Sequence, residues 1–173
     1  MAVVITPVWK RVGPELQASL AKYWIASGAM KDEARATERA KQAVCVASDE
    51  GRIVGVTTAY PRVAPSLRQP MYFLRMHVAQ PARNQGLSIP FVKESFAEIE
   101  RQELAKPKLI CLGVILQLQN ERLAAHYNEA YWWQSGFVYA GLTRDDQQLR
   151  VKYFKDARLG PPMQVKRKAS AGA

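Results

Sequence analysis

The stretch Val78-Ala79-Gln80-Pro81-Ala82-Arg83-Asn84-Gln85-Gly86-Leu87-Ser88 decides how this chain is read. An apolar run before it, Met71 to Met76, reads as a strand. An amphipathic run after it, Ile89 to Ala105, reads as a helix. A strand, a tight glycine loop and a helix start are what a backbone needs to cradle a phosphate. The first N–H groups of a helix have no partner inside it, and its dipole favours an anion there. Gly86 lets the main chain approach a ligand with no side chain between. The spacing is not the dinucleotide fingerprint, because no glycine stands two residues before Gly86. Such a loop also arises for purely structural reasons, so the rest of the chain must decide.

Working outward, Val3 to Thr6 reads as a first strand. Pro14 opens a helix with Leu16, Leu20, Tyr23 and Trp24 at helical spacing, and Gly28 ends it. Lys31 to Gln42 is a polar second helix. Val44 to Ser48 and Arg52 to Tyr60 are strands joined by the turn Asp49-Glu50-Gly51. Pro61 to Pro70 reads as a loop carrying Arg62 and Arg68, and Met71 to Val78 as the next strand. Ser88 and Pro90 open the central helix and Pro107 closes it, with Val92, Phe96 and Ile99 as its core stripe. Leu109 to Leu118 is too continuously apolar to be half exposed and should be a central strand. Asn120 to Gln134 reads as a helix, ended by Gly136-Phe137. Val138 to Leu142 and Leu149 to Phe154 make a last hairpin. Pattern alone gives an α/β or α+β single domain over residues 1–158. Residues 159–173, with Lys166, Arg167 and Lys168, read as a disordered basic tail.

Composition narrows the partners. The chain has 173 residues, of which 48% are hydrophobic, as expected of one soluble domain. No apolar run approaches the ~20 residues of a membrane span. The start, Met1 to Val12, lacks the form of a signal peptide, because Pro7 breaks a short apolar stretch. Cys45 and Cys111 read as buried free thiols of a cytoplasmic protein. Two histidines and no His/Cys cluster argue against a bound metal. A formal charge of +10 favours anionic partners. Nucleic acid is one, but no dense Lys/Arg stripe interleaved with aromatics favours it.

The loop resembles the acyl-CoA-binding motif of the GNAT superfamily of acyl-CoA-dependent N-acyltransferases. That motif is Gln/Arg-x-x-Gly-x-Gly/Ala after the fourth strand, with a branched apolar residue upstream. Arg83, Gly86 and Ser88 fill it, and Val78 takes the upstream place. Ser88 replaces the usual Gly or Ala; it is small and can cap the following helix. The element order β-α-α-β-β-β-α-β-α-β-β is also that of the family, over residues 3 to 156. Family members often carry an Asn opening the helix after strand five, a Tyr about seven residues on, and a closing Gly-Phe. Asn120, Tyr127 and Gly136-Phe137 stand here. The resemblance implies a mixed sheet of about seven strands, splayed between the fourth and fifth, flanked by about four helices. It implies acetyl-CoA as co-substrate, held by Val78, Arg83, Asn84, Gln85, Gly86, Leu87, Ser88 and Asn120. It also implies an acetyl group passed to a primary amine in a ternary complex. Which amine stays open, as does a homodimer.

Transfer from a thioester to an amine has three demands. The amine must be neutral, the oxyanion stabilised, and the leaving thiolate protonated. Main-chain N–H groups near Val78 can serve the oxyanion. A phenol of pKa ~10 can protonate the thiolate. Tyr127 is the first choice, and Tyr131, one expected helical turn further, the second. The competing account makes Tyr127, Tyr131, Trp132 and Trp133 an aromatic core and interface cluster. Many family members place a carboxylate four residues before the valine, where Leu74 stands. His77 is a candidate base on the opposite strand face, and His126 adjoins Tyr127; a structural role competes for both. Arg75 reads as a solvated strand residue. Glu33 and Glu38 could attract a cationic amine, though an exposed charged helix explains them. The other class of function is a catalytically weak GNAT-fold module that contacts RNA or ribosomes through its basic surface.

Overall fold

A computed structural model describes residues 3–83 and 85–165. Strand β1 spans Val4–Pro7, helix α1 Pro14–Ala26 and helix α2 Glu33–Ala40. Strands β2 (Ala43–Asp49), β3 (Arg52–Ala64) and β4 (Gln69–Val78) follow. A short 3-10 turn at Gln80–Ala82 leads into helix α3, Ser88–Leu104. Then come β5 (Gly113–Leu118), α4 (Glu121–His126), β6 (Tyr131–Trp132), β7 (Phe137–Leu142) and β8 (Gln148–Tyr153). One sheet of eight strands runs β1-β2-β3-β4-β5-β8-β7-β6. Only β4 and β5 pair in parallel; every other neighbour is antiparallel. The expected mixed sheet is present, with β6 as an added edge strand.

Helices cover both faces. On one, Leu20, Ala21 and Trp24 of α1 and Ala36 and Ala40 of α2 pack on Val46 and Val56. On the other, Phe91, Val92, Phe96 and Ile99 of α3 pack on Val44, Tyr72, Leu74 and Val114. Each buried Val, Leu, Ile or Phe among them contributes about 1.5–3 kcal/mol on burial. No helix among the described residues is long and apolar enough to cross a membrane.

Three expectations are corrected. First, Pro61 does not end β3, which runs on to Ala64. The last β2 residue paired with β3 is Ala43, opposite Thr58. Pro61 therefore sits where β3 is an edge strand on that side, and its missing N–H breaks no ladder bond. Second, Asn120 to Gln134 is not one helix. It stops at His126, and Tyr131–Trp132 pair with Val138 and Phe137 instead. The carbonyls of Tyr127 and Glu129 accept hydrogen bonds from the Arg150 guanidinium, a partner distant in sequence. Third, the segment after Leu159 is tied down where it is described. The Gly160 N–H and carbonyl bond the Gln69 side chain, and the Met163 N–H donates to the Arg68 carbonyl. Lys166, Arg167 and Lys168 lie outside the described residues.

Gly113 begins β5 where no side chain fits. A Cβ there would lie 2.3 Å from the Lys152 carbonyl oxygen and 2.7 Å from the Tyr153 Cα. Both are backbone atoms of the paired β8 and cannot rotate away. Gly113→Ala should cost at least about 1–3 kcal/mol, the range for overpacking. Urea unfolding would test this, and an unchanged midpoint would mean that β5 and β8 separate more easily than their register suggests.

Candidate active site

The sheet opens between β4 and β5. The two strands pair only at Tyr72, Phe73 and Leu74, opposite Val114, Ile115 and Leu116. Beyond Leu74, β4 follows β3 alone as far as Val78. Antiparallel pairs alternate in which residues exchange hydrogen bonds. Because the Ala79 N–H donates to the Val54 carbonyl, His77 and Arg75 bond toward β3. Met76 and Val78 then turn their main-chain groups toward the gap. The Val78 carbonyl accepts from Arg83 Nε at 2.9 Å.

Two connected hollows occupy this gap. A cleft of roughly 930 Å³ is lined by Met76, His77, Val78, Arg83, Gly86, Leu87 and Ser88, with Asn120, His126 and Tyr127 across it. A deeper cavity of roughly 440 Å³ is lined by Leu74, Arg75, Met76, Ser88, Val92, Leu116, Asn120, Tyr127 and Trp132, among others. Tyr127, Asn120, Met76 and Ser88 border both.

The cleft floor is the expected loop. Gly86 has φ +69°, a left-handed conformation that favours glycine. Gln85 Nε2 donates to the Pro81 carbonyl and ties the loop to the 3-10 turn. Asn84 lies outside the described residues. The first α3 bond runs from the Phe91 N–H to the Leu87 carbonyl. Ser88 is thus the first helical residue and not a cap; the cap position is Leu87, with no side-chain hydrogen bond. Pro90 costs the first turn nothing, since its missing N–H would be unbonded anyway. The N–H groups of Ser88 and Ile89 have no acceptor within the helix. With Arg83 beside them, these groups could hold a phosphate.

Across the cleft, Asn120 Oδ1 accepts from the Leu123 N–H and caps α4. The Tyr127 ring packs against Trp132 and His126, at centroid distances of 5.4 and 4.8 Å. Its carbonyl accepts from Trp132 Nε1 and from Arg150. Arg150, only 1% exposed, also lies over the Trp132 ring and so fixes the chain around Tyr127. Tyr131 stands apart: it is 55% exposed on β6 and lines neither hollow. Its expected place one helical turn beyond Tyr127 fails because the helix has already ended.

His77 lines the cleft but not the deeper cavity. Its Nδ1 lies 2.9 Å from the Tyr23 hydroxyl, which also reaches the Val54 carbonyl. Burial pushes the Tyr23 phenol up to about 12, so it stays protonated. Burial, then the charges of Arg83 and Arg39, hold the His77 pKa below its ordinary value. The unfolded chain takes up this proton near pH ~6.5 while the folded protein resists it. Stability should therefore fall as pH drops below that value. His77→Gln keeps a polar group for Tyr23 and should flatten the loss between about pH 7 and pH 5. Urea midpoints at the two pH values read this; an unchanged slope would remove His77 as the cause.

Leu74 lines the deeper cavity, so no carboxylate enters from its position. Glu38 pairs with Lys41 on the exposed α2 surface, and Glu33 borders a separate hollow between α1 and α2. Two residues have a larger place than their sequence context suggests. Arg75 is not merely solvated: it lines the deeper cavity together with Arg39 of α2. Among the described residues, no cluster of His, Cys, Asp and Glu could hold a metal ion.

No family model and no curated protein sequence matches this chain. Solved structures do. An acetyltransferase of the GNAT family from Streptococcus pneumoniae aligns with TM-score 0.58 at 15% identity, covering 89% of this chain and 100% of that one. A ribosomal-protein-S5-alanine acetyltransferase from Vibrio fischeri aligns with TM-score 0.58 at 13% identity, over 91% and 96%. Arabidopsis thaliana NAA60, solved in complex with acetyl-CoA, aligns with TM-score 0.55 at 12% identity, over 88% and 100%. The chain has the GNAT fold, with the splayed sheet that the loop motif led one to expect.

Proposed function

We propose that the protein is an N-acetyltransferase that passes an acetyl group from acetyl-CoA to a primary amine by direct attack in a ternary complex. The observation that carries this is the convergence of three groups on one gap. The phosphate-competent loop, the main chain of Met76 and Val78, and the Tyr127 side chain all border it. In this reading Arg83 and the main chain of residues 85–89 hold the pyrophosphate. The Val78 N–H, facing the gap, donates to the carbonyl oxygen as negative charge grows there. The amine nitrogen bonds to the carbonyl carbon, the C–S bond breaks, and Tyr127 gives its proton to the leaving sulfur. Water then reprotonates the phenolate. The amine loses its proton to solvent through the cleft; neutral His77, which lines that cleft, is the side-chain candidate for the base.

Direct attack is favoured over a covalent enzyme intermediate. Burial pushes the Cys45 thiol up to about 11 and the Cys111 thiol up to about 12. Neither lines the gap. Two buried free thiols also support a reducing, cytoplasmic setting. Calorimetric titration with acetyl-CoA tests the reading, followed by thiol release across an amine panel. Saturable binding with amine-dependent release is expected. A protein that ignores acetyl-CoA but shifts its melting temperature with RNA would replace the reading with the binding-module one.

A further inference from the structure

The deeper cavity takes its lining from both faces of the sheet. Leu74, Ser88 and Val92 belong to the α3 side, and Phe73, Arg75 and Arg39 to the side covered by α1 and α2. The second side is cationic. Arg39 lies over the Trp24 ring at 5.4 Å, with its Nε 3.5 Å from Thr58 Oγ1. Arg75 lies over the Tyr60 ring at 4.7 Å and donates to the Tyr60 hydroxyl at 2.9 Å. Arg62 adds a third guanidinium, 5.9 Å from the ring of Phe73. Ion pairs among the described residues involve none of these three. Arg39 feels this: burial, then the positive charge of Arg75, lowers its pKa.

Aromatic faces hold the planar guanidinium groups, and a planar fork of N–H donors suits carboxylate and phosphate. Arg39, partly withdrawn from water with no acid paired to it, gains most from an anion, and the exposed Arg75 offers a second fork on the same cavity. Given the acyl transfer proposed above, we infer that Arg39 and Arg75 bind an anionic group, a carboxylate or phosphate, carried by the acceptor amine. The acceptor is then a small zwitterionic amine. Its anion sits on the arginine side of the gap and its nitrogen points toward Val78. The cavity, roughly 440 Å³, lies within the ~300–1,000 Å³ usual for small-molecule sites.

Calorimetry with phosphoethanolamine, β-alanine and neutral ethanolamine tests this directly, with and without CoA. The arm without CoA stands even if acetyl-CoA proves not to be the donor. The anionic probes should bind at least about tenfold more tightly than ethanolamine, the size of one charged hydrogen bond. Comparing phosphate with carboxylate identifies the preferred anion. Arg39→Gln and Arg75→Gln should each narrow that gap, and Arg75→Glu should turn the preference toward the diamine putrescine. Arg75 is exposed and its variants should fold even if loss of the Arg39–Trp24 contact does not permit it. Equal affinities for all probes would overturn the inference, as would a preference that keeps its full size in Arg75→Gln. So would binding seen only with a short RNA ending in an aminoacyl ester, which would place the anion outside this cavity.

Discussion

Gly86→Asp should abolish acetyl-CoA binding while the protein stays folded. The two halves of that result have separate physical causes. Folding survives because a Cβ at Gly86 would meet nothing within 4 Å. The remaining cost is conformational. Gly86 has φ +69°, and a left-handed residue other than glycine costs roughly 1–2 kcal/mol, with Asp among the more tolerant. A domain stable by about 5–15 kcal/mol withstands that. Binding fails because the new carboxylate enters the cleft beside the Ser88 and Ile89 N–H groups and Arg83. It would meet the phosphates there. Two unit charges 4 Å apart repel by about 1 kcal/mol in water and about 4 kcal/mol near a protein surface. Repulsion from two phosphates at the latter strength exceeds a thousandfold loss of affinity. Gly86→Asn makes the same backbone demand without the charge and should keep most of the binding. Calorimetry on both variants, with circular dichroism to check folding, separates charge from strain. Unchanged affinity in Gly86→Asp would remove this loop as the phosphate site.

The loop was legible because its information is local. A strand, a glycine and a helix start within a short span dictate where N–H groups point, whatever surrounds them. The β2–β3 hairpin was legible for the same reason. What was not legible depended on distant partners. Pro61 reads as a strand breaker until it is known that β2 ends opposite Thr58 and leaves β3 an edge there. Tyr131 reads as helical because nothing nearby stops the helix. The stop comes from Arg150, whose guanidinium takes the carbonyls of Tyr127 and Glu129. Arg75 reads as a solvated strand residue, and Arg39 is one charge among several on a polar helix. Only the opening of the sheet beside Leu74 gives them a shared cavity. A further signal was present: each has an aromatic platform, Trp24 or Tyr60, but recognising the pairs requires the packing of α1 on α2 for Arg39 and the register of β3 against β4 for Arg75.

Tyr127→Phe should lower kcat by about 10²–10⁴-fold, the range for general acid–base catalysis, with little change in acetyl-CoA affinity. The substitution removes one hydroxyl and keeps the ring. The packing of that ring on Trp132 and His126 is thereby preserved. So are the bonds from Trp132 and Arg150 to its carbonyl, which involve the main chain alone. A loss of rate therefore reports proton transfer rather than a displaced helix end. The split between kcat and affinity follows because the phenol acts only as the C–S bond breaks. Tyr131→Phe is the matched control. Its side chain lines neither hollow, so its rate should stay close to that of the unmodified protein. Pre-steady-state thiol release on both variants distinguishes chemistry from product release. A normal rate in Tyr127→Phe would leave the thiolate to be protonated by water. Tyr127 would then be an aromatic wall of the cavity, held in place by Arg150 for packing alone.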